Sequence, residues 1–149
     1  MSENASRDCV FCRIVRGEIP CAKVYESDPV LAFLDIAPVS RGHTLVIPKG
    51  HYENLLSTPA EVLAELARHL PIVAGAVVKA TGAEGFHLMQ LNGGCAGQVV
   101  MHLHFHIIPR SGGDNVPLHL PKGRAYAEGE MAKLAATVAG LLNKGGGRR

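Results

Sequence analysis

The 149-residue chain has almost no surplus of either charge: 15 Lys plus Arg face 13 Asp plus Glu, a formal net charge of +2, and the closing Arg148 and Arg149 supply that excess. A polyanion-binding surface is therefore not expected, and with it no nucleic-acid polymer as partner. No apolar run approaches the ~20 residues that cross a bilayer, so no membrane role is expected either. Residues 1–8 are polar and lack the hydrophobic stretch of a signal peptide, which points to the cytoplasm. Cysteine is sparse, with Cys9, Cys12, Cys21 and Cys95 alone. In a reducing compartment these read as thiols or ligands rather than disulfides. Internal repeats and a dividing linker are also missing, so one domain is expected over residues 9–143, between disordered ends at 1–8 and 144–149.

Hydrophobic residues are plentiful, 47% of the chain. A domain of this length buries about 70% of its unfolded surface, so it needs neither disulfide nor metal merely to have a core. Residues 10–15 read as a short helix stopped by Gly17. Segments 23–26, 30–35 and 44–47 are short, rich in branched and aromatic residues and parted by turn formers, as in an antiparallel meander. Thr58, Pro59 and Glu61 form a helix-start signature with Thr58 as the capping hydroxyl. The long helix that follows carries Val62, Leu66, Leu70, Val73 and Val77 on one stripe, is expected to kink at Pro71 and ends at Gly82. Residues 86–91 and 99–108 are predicted strands, and about 128–143 a last helix. Strands gathered before and after one long helix indicate an α+β fold, an antiparallel sheet packed on that helix.

The chemistry concentrates in His102-Leu103-His104-Phe105-His106-Ile107-Ile108. On a strand, alternate side chains share a face, so three imidazoles would stand about 6.6 Å apart while Leu103, Phe105 and Ile107 enter the core. Crowding three imidazoles without a task costs desolvation and mutual repulsion. His69 and His119 have no such patterned neighbours and read as ordinary surface or hydrogen-bonded residues. Two chemistries suit the row: shared ligation of a catalytic metal, or direct attack of one imidazole on phosphorus while its neighbours bond the charged oxygens. The second is favoured, because Gly94, Gly97 and Gln98 form a lean loop whose backbone N–H groups could approach a phosphate, and carboxylates are missing nearby. Cys9 and Cys12 have the C-x-x-C spacing of a zinc pair, although a redox pair or two buried thiols would read the same way.

With Phe33-Leu34-Asp35-Ile36, with Gly42-His43-Thr44-Leu45-Val46-Ile47-Pro48-Lys49 and with Ala96-Gly97-Gln98 before the histidine run, the chain resembles the histidine triad family over roughly residues 9–110, and within it the Hint-type branch. The resemblance implies a homodimeric hydrolase acting on purine nucleoside phosphoramidates and related nucleoside monophosphate adducts through a nucleotidyl-histidine intermediate. It makes His104 the nucleophile, His106 a contact for the phosphate oxygens, His43 an assistant near the nucleophile and Gln98 a group on the phosphate or leaving-group side. Asp35 is expected to hold the ribose, and Val10, Phe11, Ile14, Phe33 and Ile36 to form the base slot, with Gly97 and Val99 beside the phosphate. It also implies a closed structural zinc site of Cys9, Cys12, His51 and His102. The chain departs from the family pattern at Leu91, where an amide is common, leaving Asn92 one place late, and at Val99, where a hydroxyl occurs in some relatives. Two alternatives share the motif: a dinucleoside polyphosphate hydrolase or nucleotidyl transferase, and a nucleotide-binding scaffold.

Overall fold

Two strands are buried on both faces, and they set the layering of the domain. In the computed structural model, which describes residues 3–118 and 123–145, β2 (Val30–Leu34) sends Val30 and Ala32 to one side of the sheet and Leu31 and Phe33 to the other. All five residues of β3 (Thr44–Pro48) are buried. With β1 (Lys23–Glu26), β4 (Gly85–Gln90) and β5 (Phe105–Arg110) they form an antiparallel sheet in the order β1-β2-β3-β5-β4. The first three strands follow as the expected meander. β5 then inserts between β3 and β4, which leaves β4 at an edge.

The long helix, α3 (Ala60–Thr81), covers one face by packing Leu66, Leu70, Val73, Ala74 and Val77 on Val30, Ala32, Val46, Leu103 and Ile107. Burying each large apolar side chain contributes about 1.5–3 kcal/mol, so this interface is the main source of stability. Gly82 closes α3 in the left-handed region at φ 69°, where a residue without Cβ meets no penalty. The start differs from expectation. Pro59 is the capping position and makes no side-chain bond, while the Thr58 hydroxyl donates back to the Asn54 carbonyl at 2.7 Å. Asn54 itself caps a short 3₁₀ turn, Leu55–Ser57, accepting from the amides of Leu56 and Ser57. Pro71 lies inside α3, and the helix runs continuously through it.

The opposite face is covered by α2 (Val10–Val15), which drives Phe11 onto Leu31, Phe33, Leu45 and Ile47 and stops before Gly17 at φ 75°. Ahead of it, where no regular structure was expected, α1 spans Glu3–Asp8. The chain divides after Val116 into two compact units, and the sheet, α2 and α3 all lie in the first. The second holds α4 (Glu130–Gly145), two residues later than predicted. Gly129 takes φ 75° there, and the Glu130 carboxylate accepts from the Ala127 amide. Met131, Leu134, Leu141 and Leu142 of α4 are exposed. His119 lies outside the described residues, as do residues 146–149 of the predicted tail. Among the described residues no helix is long and apolar enough to cross a membrane.

Candidate active site

The histidine run is not one continuous strand. β5 begins at Phe105, because the residues before it bond to the loop after β3 instead of to the ladder. Leu103 N–H donates to Tyr52 O at 2.6 Å, His102 N–H to Val100 O, and the His102 ring takes the Pro48 carbonyl at 2.9 Å. The period-two alternation survives: Leu103, Phe105 and Ile107 face α3, and the histidines face the other way. The even row of three does not. His104 and His106 share one cavity with ring centroids 4.8 Å apart, whereas His102 turns toward the cysteines.

That cavity, about 440 Å³, is walled by Phe11 and Phe33. Ile14 and Val10 also line it, Ile36 and Val99 stand exposed at its rim, and Asp35, Gly97, His104 and His106 supply the polar end. The volume lies within the range of small-molecule sites, and the mix of apolar walls with a few convergent polar groups is what such sites require. The sequence reading missed Ile19, Pro20 and Val100 in this wall, and it took Cys21, also a lining residue, for a plain thiol. No local pattern marks them.

Backbone groups, which cannot change role, assign the imidazole tautomers. The His102 carbonyl only accepts, so His104 donates Nδ1–H to it at 2.6 Å and its Nε2 carries the lone pair. Val39 N–H only donates, so His43 Nδ1 accepts it at 3.1 Å and keeps its proton on Nε2. His43 then donates to His106 Nδ1 at 2.9 Å, which places the His106 proton on Nε2. That Nε2 is buried and has no hydrogen-bond partner among the described residues. An unsatisfied buried donor is costly, by about 1–3 kcal/mol, and a ligand acceptor would relieve it.

Burial lowers the pKa of His104 below the ordinary 6.5, lowers that of His43 likewise, and takes His106 to about 4, with the neighbouring imidazoles adding to the last effect. All three rings are neutral at pH 7. Asp35 keeps one oxygen on the Ala37 amide at 2.8 Å and the other 3.8 Å from His43 Nε2, with part of its carboxylate facing the cavity. The donor atoms of Asp35, His43 and His106 lie close together, but the hydrogen bond between the two rings already occupies those nitrogens.

His43, expected beside the nucleophile, sits behind His106 and orients it. Two further expected residues are committed elsewhere. Gln98 is buried, accepts from Gly93 N–H at 2.8 Å and donates to the carbonyls of Glu53 and Val100. Asn92 accepts from Leu55 N–H and donates to Gln90, bracing β4 against the 3₁₀ turn. The amides of Ala96, Gly97 and Gln98 donate back to Gly93 and Gly94. The glycine loop is thus a self-bonded turn with Gly97 at φ 89°, not an open amide cradle at those positions.

Beside the cavity, Cys9, Cys12, His51 and His102 bring one donor atom each within 4.8 Å of one another. Cys9 and Cys12 Sγ are each 3.5 Å from His102 Nδ1, and Cys12 Sγ is 3.2 Å from His51 Nδ1. A tetrahedral zinc with ordinary bond lengths sets sulfur and nitrogen about 3.6 Å apart, so the residues fit the ion. His102 gives its Nε2–H to Pro48 O, which aims the Nδ1 lone pair at the cluster in the usual outer-shell manner.

An α+β domain with one face given to a long helix and the other to a histidine-ended cavity describes the class. The chain belongs to the HIT domain family, whose profile matches residues 16–113. It is 51% identical over 109 residues to the adenylylsulfatase HINT3 of Arabidopsis thaliana, covering 73% of this chain and 55% of that protein. It is 50% identical over 102 residues to the adenosine 5'-monophosphoramidase hnt1 of Schizosaccharomyces pombe, 68% and 74% of the two chains. Among solved structures, a HIT family member from Bacillus subtilis aligns with a TM-score of 0.83 at 40% identity, covering 89% of this chain and 95% of that one. A zinc-bound histidine triad family protein from Mycobacterium smegmatis aligns with a TM-score of 0.71 at 36% identity, covering 94% and 99%.

Proposed function

We propose that this chain is a nucleotide hydrolase that cleaves purine nucleoside 5'-phosphoramidates or related nucleoside monophosphate adducts through a covalent intermediate on His104. The observation that carries the reading is the pairing of a bare His104 Nε2 with a buried, unpartnered His106 Nε2–H at the end of one apolar cavity. The names of the Arabidopsis and Schizosaccharomyces relatives, an adenylylsulfatase and an adenosine monophosphoramidase, support it. The base lies against the wall that Phe11 and Phe33 form by meeting edge to face, and the Asp35 oxygen not bonded to Ala37 accepts from the ribose hydroxyls.

His104 Nε2 attacks phosphorus. The N–P bond forms as the bond to the leaving group breaks, and the leaving group departs with the electron pair and takes a proton from solvent, which is returned when water attacks in the second step. His106 Nε2–H donates to a non-bridging oxygen as charge grows there. The phosphorylated ring is cationic, and its Nδ1–H remains on the His102 carbonyl. Water then attacks phosphorus, releasing the nucleoside monophosphate and restoring neutral His104.

The test is His104→Ala. It should abolish turnover while AMP still binds, and the wild type quenched with a slow substrate should carry one nucleotidyl group on His104. Substantial residual turnover, or an adduct on another residue, overturns the assignment. A structural zinc at Cys9, Cys12, His51 and His102 accompanies this reading, supported by the cluster's spacing and by the zinc-bound relative. A reducing, cytoplasmic setting suits the four free cysteines, and a homodimer suits the uncovered edge of β4.

A further inference from the structure

The catalytic cavity has a neighbour across Leu34. On the other side of that residue an apolar groove of about 380 Å³ runs between α3, β1 and the turn before β3. Val73 and Val77, from the core stripe of α3, form its floor, and Ala76 and Ala80 beside them carry nothing beyond Cβ, so the helix surface is hollow there. Val24, Leu34 and Ile72 stand around the hollow as exposed rims. Large apolar side chains exposed singly need no explanation, but several enclosing one concavity of small-molecule size do. The two ends differ. At one, Tyr25 is bonded through its hydroxyl to His69 Nδ1 at 2.8 Å. At the other, where Gly42 backs onto Thr81, Arg41 has no hydrogen bond or ion pair among the described residues. The Thr81 hydroxyl is tied to the Val77 carbonyl, and Asp114, the acid of the adjoining hollow, is held by Arg110 through bonds of 2.7 and 2.9 Å. Among the described residues no Asp or Glu lines the groove.

We propose that this groove is a second ligand site, which takes an aliphatic carboxylate: Arg41 holds the carboxylate at the Thr81 end, and the chain lies over Ala80 and Ala76 toward Tyr25. Between Ile72 and Thr81 the helix rises about 13 Å at 1.5 Å per residue, the reach of roughly ten extended carbons. The end of α3 carries about half a negative charge against the full positive charge of Arg41, so an anion is still favoured there. A neutral occupant would leave the guanidinium unpaired, and a protein partner would need far more surface than one groove of this size offers. Occupancy reaches the nucleotide cavity through Leu34, which lines both. Asp35 follows it directly, and its N–H donates to the carbonyl of His43, the residue after Gly42. A chain seated on Leu34 presses that wall toward the nucleotide, so each ligand weakens the other by the same factor. This coupling rests on the nucleotide reading, whereas the groove does not.

The experiment is a titration of the whole chain with sodium decanoate, below the concentration at which it forms micelles, followed by methyl ¹H–¹³C spectroscopy. The methyls of Val24, Leu34, Ile72 and Val77 should shift together along one saturable curve. Arg41→Gln should weaken binding about tenfold, the size set by one hydrogen bond to a charged group, and uncharged decanol should bind the wild type as weakly. Ala76→Trp, which fills the hollow from an exposed helix position, should abolish binding, with Ala80→Phe as the second filling variant. Saturating decanoate should raise the Kd for AMP about fivefold, and AMP should raise that for decanoate equally. Shifts that never saturate, an affinity indifferent to Arg41→Gln, or a change of sedimentation in Ala76→Trp would overturn the proposal, the last by showing that a second copy occupies the groove. An AMP affinity unmoved by bound decanoate overturns the coupling. Absence of AMP binding defeats the nucleotide reading instead, and leaves the groove shifts and their dependence on Arg41 as they are.

Discussion

His106 Nε2 is buried at the cavity with a proton and no acceptor among the described residues, and burial holds its imidazole to a pKa of about 4 against an ordinary 6.5. Because the folded value lies below the unfolded one, the unfolded chain takes up the proton first. The resulting stability is fully present above about pH 6.5 and is lost as pH falls toward 4. At about 1.4 kcal/mol per pH unit this one residue accounts for at most ~3.5 kcal/mol. Urea unfolding of wild type and His106→Gln at pH 7.0, 5.5 and 4.5 checks it: the wild type should lose more on acidification, and equal losses would contradict the burial account. Val99 offers a second test at this scale. It is 88% exposed on the cavity rim and presents no hydroxyl to a leaving group. Val99→Ser should raise kcat/KM for phosphoramidates by about 1 kcal/mol of transition-state stabilisation if its hydroxyl gains one hydrogen bond. The ratio of specificity constants for phosphoramidates and dinucleoside polyphosphates, measured in both proteins, is the readout. A wild type preferring the polyphosphates would favour the alternative substrate class and leave His104 in place.

The elements show where local pattern suffices. The bounds of α2 and β1 follow from apolar spacing and turn residues alone, and the stripe on α3 faces the sheet as its period requires. β5 starts six residues later than alternation indicates, because Gln98, His102 and Leu103 spend hydrogen bonds on residues 48–53, tertiary neighbours that no period reveals, and locally on Val100. The same holds for the site. Residue type and order nominate His104, His106 and Asp35, which the fold gathers at one cavity, while the structural employment of Gln98 and Asn92 depends on partners far along the chain. Two glycines test how elements are joined. Gly42, at φ 88° just before His43, would place a Cβ 2.5 Å from Thr81 Cγ2 at the end of α3, and the Thr81 hydroxyl is tied to the Val77 carbonyl. Gly42→Ala should therefore cost about 2–4 kcal/mol through strain and overpacking, and should lower activity by shifting His43. Gly75, inside α3 with open space around it, is the contrast. Gly75→Ala should stabilise by up to about 1 kcal/mol. Chemical denaturation of both variants reads the two signs.

At the scale of the whole molecule, the sheet's two edges are unlike. β1 guards its edge with charge, since Lys23 and Lys49 both pair with Glu26. Such pairing discourages strand addition. β4, reading Gly-Phe-His-Leu-Met-Gln, carries no Lys, Arg, Asp or Glu, and Phe86 and Leu88 project from the same side with 43% and 46% of their surfaces exposed. Its inner edge is paired with β5, and among the described residues no strand covers the outer one. An uncharged edge strand with two exposed apolar side chains invites a second copy, and two-fold pairing of β4 with itself would close the sheet without leading to a fibre. The protein should therefore sediment as a dimer at micromolar concentration. Leu88→Lys puts a like charge on both copies where they meet, and should shift it to monomer while circular dichroism stays unchanged. Because His104 and His106 receive their tautomers from bonds within one chain, the monomer should still form the adduct on His104, at a rate that reports how far dimerisation steadies the cavity. A wild type that is monomeric at tens of micromolar, or a Leu88→Lys variant that remains dimeric, would show that β4 is not the contact.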